Sequence, residues 1–449
     1  MIELRFPGIT QEQFADAFAV LEECKANPTL GFRYPFLSPG GSYGNCWWER
    51  DSSLTLNGYC WVDQSFCERA LENFGFVQKK NGRIPLWGYD RVENADEESR
   101  WAPWKENDQK HEIRYYDEEL SAIPVLFDSA EKILRRTTDQ AYIRKIYGML
   151  ARYFAWWISP VKRDPTTGLI CAIFEESDPC CYAEQLTYAP VDLNVAVAVG
   201  ADVLAGIADY LGESSDAAYY RAGFGELKES INRWLYDDET GGYYTRQVRE
   251  NRLMTERPYN STFDVFRRGI VPAERVPRLL ELLRDPRKYG YGNAVGLATV
   301  PFDSPEFRET RGTYQGWLSW CGNVWTFRNR IIARGLKESG CREEAARVAC
   351  QTIRTFNGKY AEFVTPSDGE GQGVLRYGWT AAEYIELLIE DLCGIDWCAW
   401  TDRVTVKPNL PPEIANEPIS VSGLSLGNGR TLDVSIEGSR VETRIKKPE

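Results

Sequence analysis

The stretch VDLNVAVAVGADVLAGIADYL, residues 191–211, constrains the fold more than any other. It is apolar nearly all round, and a helix of that kind has to be covered on every side. Its neighbours in sequence differ. Residues 141–158 put Ile143, Ile146, Leu150, Tyr153 and Trp157 on one face, and residues 215–236 are also amphipathic. The same alternation runs along the chain. Helical spacing is present over 10–26 (Phe14, Phe18, Leu21), from 62 onward (Phe66, Ala70, Phe74) and over 117–136 (Leu120, Ile123, Phe127, Ala130, Leu134). It returns over 272–284, 315–338, 341–356 and 378–392. Helices paired in sequence, every second one more apolar, predict an inner and an outer ring. The fold class is all-α, an (α/α)6 six-hairpin toroid filling residues 1–400.

After Trp400 the texture changes. Residues 401–449 show β-branched alternation, as in Leu432-Asp433-Val434-Ser435-Ile436, and the turn dipeptide Asn428-Gly429. This predicts a small C-terminal β-sheet appendage as a second unit.

Composition narrows the function. The net charge is −13 and no basic stretch offsets it, which excludes nucleic acid as a partner. No run of apolar residues is read as approaching bilayer length, so no membrane partner is expected. The opening MIELRFPGIT lacks the pattern of a secretory signal. The 12 cysteines include no Cys-x-x-Cys pair, and Cys180 and Cys181 are adjacent; reduced thiols in a cytoplasmic protein fit this usage. A single histidine, His111, rules out His-rich metal sites and any mechanism needing two histidines, so no metal or cofactor is expected. Aromatic residues reach 13% with 15 Trp, which suits a large helical core, a cleft for stacking ligands, or both.

Three stretches concentrate chemistry. The first is GKYAEFVTPSDGEGQGVLRYGWTAAEYIELLIEDL, 358–392: a loop with Glu362 between Tyr360 and Phe363, four glycines (Gly369, Gly371, Gly373, Gly378), then a helix. Glycine lets backbone approach a ligand closely. The second is WWERDSS, 47–53, where Trp47 and Trp48 stand beside Arg50 and Asp51. Rings for stacking and charged groups for hydroxyls suit a sugar; a helix capped by Asp51 or Ser52 with a salt bridge is the plainer alternative. The third is the acidic loop FEESDPCC, 174–181, with Glu175, Glu176 and Asp178, which would otherwise read as solvated.

A Glu in an aromatic setting, then Thr-Pro-x-x-Gly-x-Gly-x-Gly, then Tyr-Gly-Trp-Thr-Ala opening a helix, resembles glycoside hydrolase family 63. That family includes α-glucosidases and their bacterial relatives, and related trehalases share the pattern. The resemblance covers residues from 45 to 395 and implies the same toroid. It places the general base on Glu362. Phe174-Glu175-Glu176-Ser177-Asp178 is a shortened match, lacking a glycine, to the family's Trp-Glu-Ser-Gly-x-Asp-Asn-Ser, which places the general acid on Asp178 with Glu176 as rival. Asp192 and Asn194 match a polar pair that supports that loop. Trp47, Trp48, Arg50 and Asp51 match an element that contacts the cleaved sugar. Gln315, Trp320 and Asn323 stand where the family has Trp-Arg-Gly-Pro-x-Trp followed by Asn, with Gln315 replacing the Arg. Together with Trp379 these residues are the expected substrate-binding set, gathered on one rim by the loops that precede the helices.

The implied activity is inverting hydrolysis of a small α-glycoside, an α-glucoside or an α-mannoside such as a glycosyl-glycerate. The two carboxyl groups should then stand roughly 6.5–9.5 Å apart, leaving room for a water. Phe174 and nearby Trp rings are expected to make the acid's surroundings apolar. A disaccharide phosphorylase on the same barrel and a non-catalytic sugar-binding protein are the alternatives; phosphate dependence and a hydrolysis assay separate them.

Overall fold

The computed structural model describes residues 2–28, 32–44, 46–88, 120–173, 176–178 and 186–447. Helical elements alternate between two rings. The outer ring holds α1 (Gln11–Glu23), α3 (Gln64–Val77), α5 (Gln140–Trp157), α7 (Ser214–Trp234), α8 (Val276–Arg284) and α10 (Arg342–Phe356); the inner ring holds α2 (Glu49–Tyr59), α4 (Leu126–Leu134), α6 (Val191–Leu211), a 3₁₀ segment Asn260–Gly269, α9 (Thr326–Glu338) and α11 (Gly378–Glu386), which runs on as a π-helical stretch over Leu387–Leu392. The inner elements touch in the order α2, α4, α6, the 3₁₀ segment, α9, α11 and back to α2, which closes the (α/α)6 toroid.

Burial follows from the sequence pattern. Every residue of α2 and α11 is buried, while α7 buries only Ala217, Tyr220, Leu227 and Ile231. Three of the outer helices start on side-chain caps. Thr10 and Gln13 form a capping box at α1, and Asp63 and Asp139 accept backbone N–H groups at α3 and α5. Helix α6 matches its expected bounds, set between Pro190 and a left-handed Gly212. It is long and apolar enough to cross a membrane by length and composition, contrary to the expectation that no run approaches that length; here the other helices bury most of it.

Other expectations shift. Of the helix expected over 117–136, residues 117–119 lie outside the described residues; α4 begins after Pro124, because proline disfavours helix in the residue before it. The helix expected over 315–338 is split into a 3₁₀ turn, Gly316–Trp320, and α9. Helix α2 starts at Glu49, with Trp48 in the cap position and no side-chain cap, so neither Asp51 nor Ser52 caps it. Asp51 lies in the first turn, where the helix dipole favours a carboxylate.

The C-terminal strands do not form a separate unit of residues 401–449. Strand β1 (Glu3–Arg5) pairs antiparallel with β2 (Ile419–Gly427), which continues to β3 (Arg430–Glu437) and β4 (Arg440–Lys446). A further hairpin, Ile395–Cys398 with Arg403–Val406, straddles the boundary expected at residue 400. The sheet buries Val421, Leu424, Leu432, Val434 and Ile436. It meets the C-terminal end of α2: Ser425 N donates to Trp61 O, and Arg136 Nη2 donates to the carbonyls of Cys60 and Ser425.

The ring closes tightest where α2 crosses α11. A Cβ added at Gly58 would lie 2.7 Å from Ala382 Cα. Gly58→Ala is therefore expected to destabilise the protein by about 1–3 kcal/mol through forced separation of the two helices. Denaturant unfolding checks this, and an unchanged midpoint would contradict the close approach.

Candidate active site

Glu362 ends a short turn of chain that enters the hairpin Phe363–Val364 with Gly371–Gln372. Its backbone N donates to Val374 O at 2.7 Å, and Val374 N returns a bond of 3.1 Å to Glu362 Oε2. Gly373, at φ 68°, packs on this carboxylate so closely that a Cβ would collide with it. Tyr43 OH donates to Oε1 at 3.1 Å. The carboxyl is 3% exposed, and burial pushes its pKa up to about 7.

From Tyr43 the contacts run on to α2. The Tyr43 ring meets Tyr377 at 5.9 Å and Trp48 at 6.3 Å, both edge to face. Tyr377 OH donates to Asp51 Oδ1 at 2.6 Å. Burial raises the Asp51 carboxyl to about 6. One residue earlier on the same turn, Arg50 Nη1 donates to Asp178 Oδ1 at 2.7 Å, and its guanidinium lies 5.5 Å over the Trp320 ring. Trp320 stacks flat on Trp325 at 3.8 Å and meets the edge of Trp379 at 6.4 Å. Trp48, Arg50, Asp51, Trp320, Trp379 and both carboxylates are thus linked by direct contacts through Tyr43 and Tyr377.

Asp178 is held from behind. Its backbone N donates to Asp192 Oδ2 at 2.7 Å, and Ser177 Oγ donates to Asp192 Oδ1 at 2.9 Å. Asn194 clips the preceding strand by exchanging bonds with Ile170 N and O. Beyond Asp178 lies Arg328, fully buried, whose Nη1 is 3.0 Å from Asp178 Oδ2. Arg328 also donates to Asp264 through both terminal nitrogens, at 2.9 and 2.6 Å, and through Nε to Asn260 at 3.1 Å. Burial raises Asp264 to about 7, and burial together with the Asp178 charge raises Asp192 to about 6. The apolar surroundings expected for Asp178 are not what its described neighbours provide: two guanidinium groups flank it. Phe174 lies outside the described residues.

Several expected site residues have other duties. Trp47 points away from Trp48, as neighbours on an extended strand must. It stacks on Phe32 at 4.7 Å within a separate apolar cluster containing Phe36. Asn323 is fully buried and spends its amide on Thr310, receiving from Thr310 N and donating to Thr310 Oγ1. Gln315 is exposed and donates to Arg311 O. Glu176, the rival acid, is ion-paired with Lys162 and accepts from Ser121 N and Ile173 N, all of them buried, so it braces the loop instead. His111 and Glu175 lie outside the described residues.

Tyr43, Tyr377, Asp264 and Arg328 were not singled out from the sequence. The signal for Tyr377 was present, since it opens the Tyr-Gly-Trp-Thr-Ala helix start. Asp264 sits in a 3₁₀ segment whose backbone leaves helical geometry at Arg267 and Arg268. As a chemical unit, the site offers one carboxyl fixed by Tyr43 and a backbone N–H, a second between two guanidiniums, and aromatic walls between them.

The family model for the mannosylglycerate hydrolase MGH1-like glycoside hydrolase domain matches residues 44–183 and 175–380. An uncharacterized protein of Borreliella burgdorferi is 24% identical over 352 residues, covering 72% of this chain and 69% of that protein. A mannosylglycerate hydrolase of Rubrobacter radiotolerans is 26% identical over 189 residues, 42% of this chain and 40% of that protein. The crystal structure of a GH63 mannosylglycerate hydrolase from Thermus thermophilus in complex with glucose superposes with a TM-score of 0.66 at 19% identity, over 83% of this chain and 99% of that one. At that identity the superposition bears on the fold.

Glu176→Gln is expected to cost about 3–5 kcal/mol of stability, because it strands the buried Lys162 ammonium. Denaturant unfolding reads this out. A Glu176→Gln protein of undiminished stability that had lost turnover would return the acid role to Glu176.

Proposed function

Because the chain belongs to the mannosylglycerate hydrolase MGH1-like glycoside hydrolase family, we propose that it hydrolyses a small α-glycoside with inversion, Asp178 serving as general acid and Glu362 as general base. The observation that carries the reading is the continuous contact path from Glu362 through Tyr43, Tyr377 and Asp51 to Arg50 and Asp178. Two buried carboxyl groups stand at the ends of that path, with aromatic and charged side chains suited to a sugar between them.

In this mechanism Asp178 gives its proton to the glycosidic oxygen as the bond to the anomeric carbon breaks. Glu362 takes a proton from a water attacking the opposite face of that carbon. Tyr43 and Val374 N fix both oxygens of Glu362, so its free lone pairs keep a set direction. Asp51 accepts from a sugar hydroxyl, and Trp320 and Trp379 present ring faces and edges to the sugar's C–H groups. The indole N–H groups of Trp48 and Trp379 are buried without partners among the described residues, which suits them to donate to hydroxyls.

The preferred substrate class is an α-mannoside or α-glucoside of a small hydroxy acid such as glyceric acid. Two of the similar proteins are named mannosylglycerate hydrolases, which supports this choice. A hydrolysis panel of such glycosides tests it directly.

Glu362→Gln should abolish turnover while sugar binding persists, and proton NMR should show the first-released sugar with the anomeric configuration opposite to that of the substrate. Retention would remove the inverting assignment. The pH dependence has a definite sign. Glu362 acts ionised, and burial holds its carboxyl at about 7, so kcat/KM should fall as pH drops through that value. The slope should approach roughly tenfold per pH unit below it. An acidic limb near the ordinary carboxylate value of about 4.3 would contradict this.

A further inference from the structure

The carboxylate of Asp178 is unevenly bound. Its Oδ1 accepts from Arg50 Nη1 at 2.7 Å. Its Oδ2 is buried and accepts no hydrogen bond from the described residues, although Arg328 Nη1 lies only 3.0 Å away. The reason is direction. Both terminal nitrogens of Arg328 aim their N–H bonds at Asp264, and Nε aims at Asn260. A guanidinium is planar, and its donors form a rigid fork, so a two-pronged bond to one carboxylate fixes where every other N–H points. Arg328 therefore neighbours Asp178 as a charge without bonding to Oδ2.

The other groups around Asp178 do not replace that bond. Asp192, from α6, is engaged by Ser177 and by the backbone N–H groups of Asp178 and Leu193. Tyr259, just before the 3₁₀ segment, is buried nearby, its hydroxyl without a partner among the described residues. Arg50 faces the other oxygen.

We propose that Asp264 is a positioning residue for the reaction: by taking both prongs of Arg328 it keeps Asp178 Oδ2 free to hold the proton that goes to the leaving group. This rests on the reading of Asp178 as general acid. Without the Asp264 carboxylate, Arg328 swings its N–H bonds onto Oδ2. A hydrogen bond given to the ionised form holds a carboxyl in that form, and the acid then delivers its proton poorly. Nothing in substrate binding needs to change, because Asp264 lies behind Asp178, in contact with Arg328 rather than with the aromatic walls.

The test compares two substrates of the same sugar, an alkyl or glyceryl α-glycoside and a dinitrophenyl α-glycoside whose leaving group needs little protonation. Asp264→Asn should lower kcat by roughly 10–100-fold on the first and less than about threefold on the second, with KM on each changed less than about threefold. Asp264→Glu, which keeps the counter-charge, should recover part of the loss on the first substrate. An equal loss on both substrates, or no loss on either, overturns the proposal. Where Asp264→Asn does not fold, Asp264→Glu decides: a loss confined to the poor leaving group supports the proposal, and a uniform loss or none overturns it. Asp178→Asn on the same pair separates the two ideas. If it keeps full activity on the alkyl glycoside, the acid assignment itself fails; if it shows the selective loss and the Asp264 variants do not, only the role of Asp264 fails.

Discussion

The guanidinium of Arg328 is the fixed point to which the starts of the inner helices α2, α6 and α9 are referred. It is fully buried on an inner helix, and it joins Asn260 and Asp264 from the 3₁₀ segment to the neighbourhood of Asp178 from the loop before α6. A buried cation is tolerable only when its donors are satisfied, so the partners are placed as tightly as the cation. Helices α2, α6 and α9 all begin near this point, with Arg50, Asp192 and Arg328 in their first turns. The first turn of a helix has free N–H groups and the positive end of the dipole, which favours the carboxylates gathered there.

The same logic continues down the barrel. Two residues beyond Arg328 on α9, Arg330 pairs with Glu383 and lies 3.5 Å from Glu386 on α11. Glu386 also meets Lys132 from α4 at 3.3 Å and Arg334 from α9 at 3.1 Å. Lower still, Arg267 takes Asp128 in a two-pronged bond. Part of the inner ring is thus lined by alternating charges, beside an apolar cluster that joins Leu54 of α2, Phe327 and Ile331 of α9 and Trp379 of α11. Such pairs add little stability over a packed apolar core, but an inner helix that slipped by one turn would leave several charges unpaired. They set the register that brings Arg50, Asp178 and Arg328 to one level.

How much of this was legible in the letters depended on the range of the interaction. Helix α6 was readable to its ends because its pattern and both terminal residues are local. The Glu362 loop was readable because its glycines and aromatics are consecutive. Trp47 and Trp48 were read as a pair, yet a strand turns adjacent side chains to opposite sides, and only Trp48 faces Tyr43. Asn323 was credited with a sugar contact that its buried amide gives to Thr310. Asp264 and Arg328 carry no motif of their own; what makes them a unit is the meeting of two inner elements 64 residues apart. Strand β1 was missed although Ile2-Glu3-Leu4-Arg5-Phe6 alternates, because the strand is only three residues long and its partner lies more than four hundred positions on.

That strand has a consequence for how the chain reaches its final form. Leu4 pairs with Val421, and the inner ring itself closes only when α11 meets α2. A chain emerging from the ribosome makes this strand some four hundred residues before its partner. Until then the hairpins already made form an open arc, with the flank of α2 exposed and Gly58 waiting for Ala382. Assembly of this barrel is accordingly a late, long-range event, slow by contact order and exposed to aggregation in the interval. The β-sheet then works as a clasp, fastening two segments some four hundred residues apart at the end of the barrel away from Arg50 and Asp51.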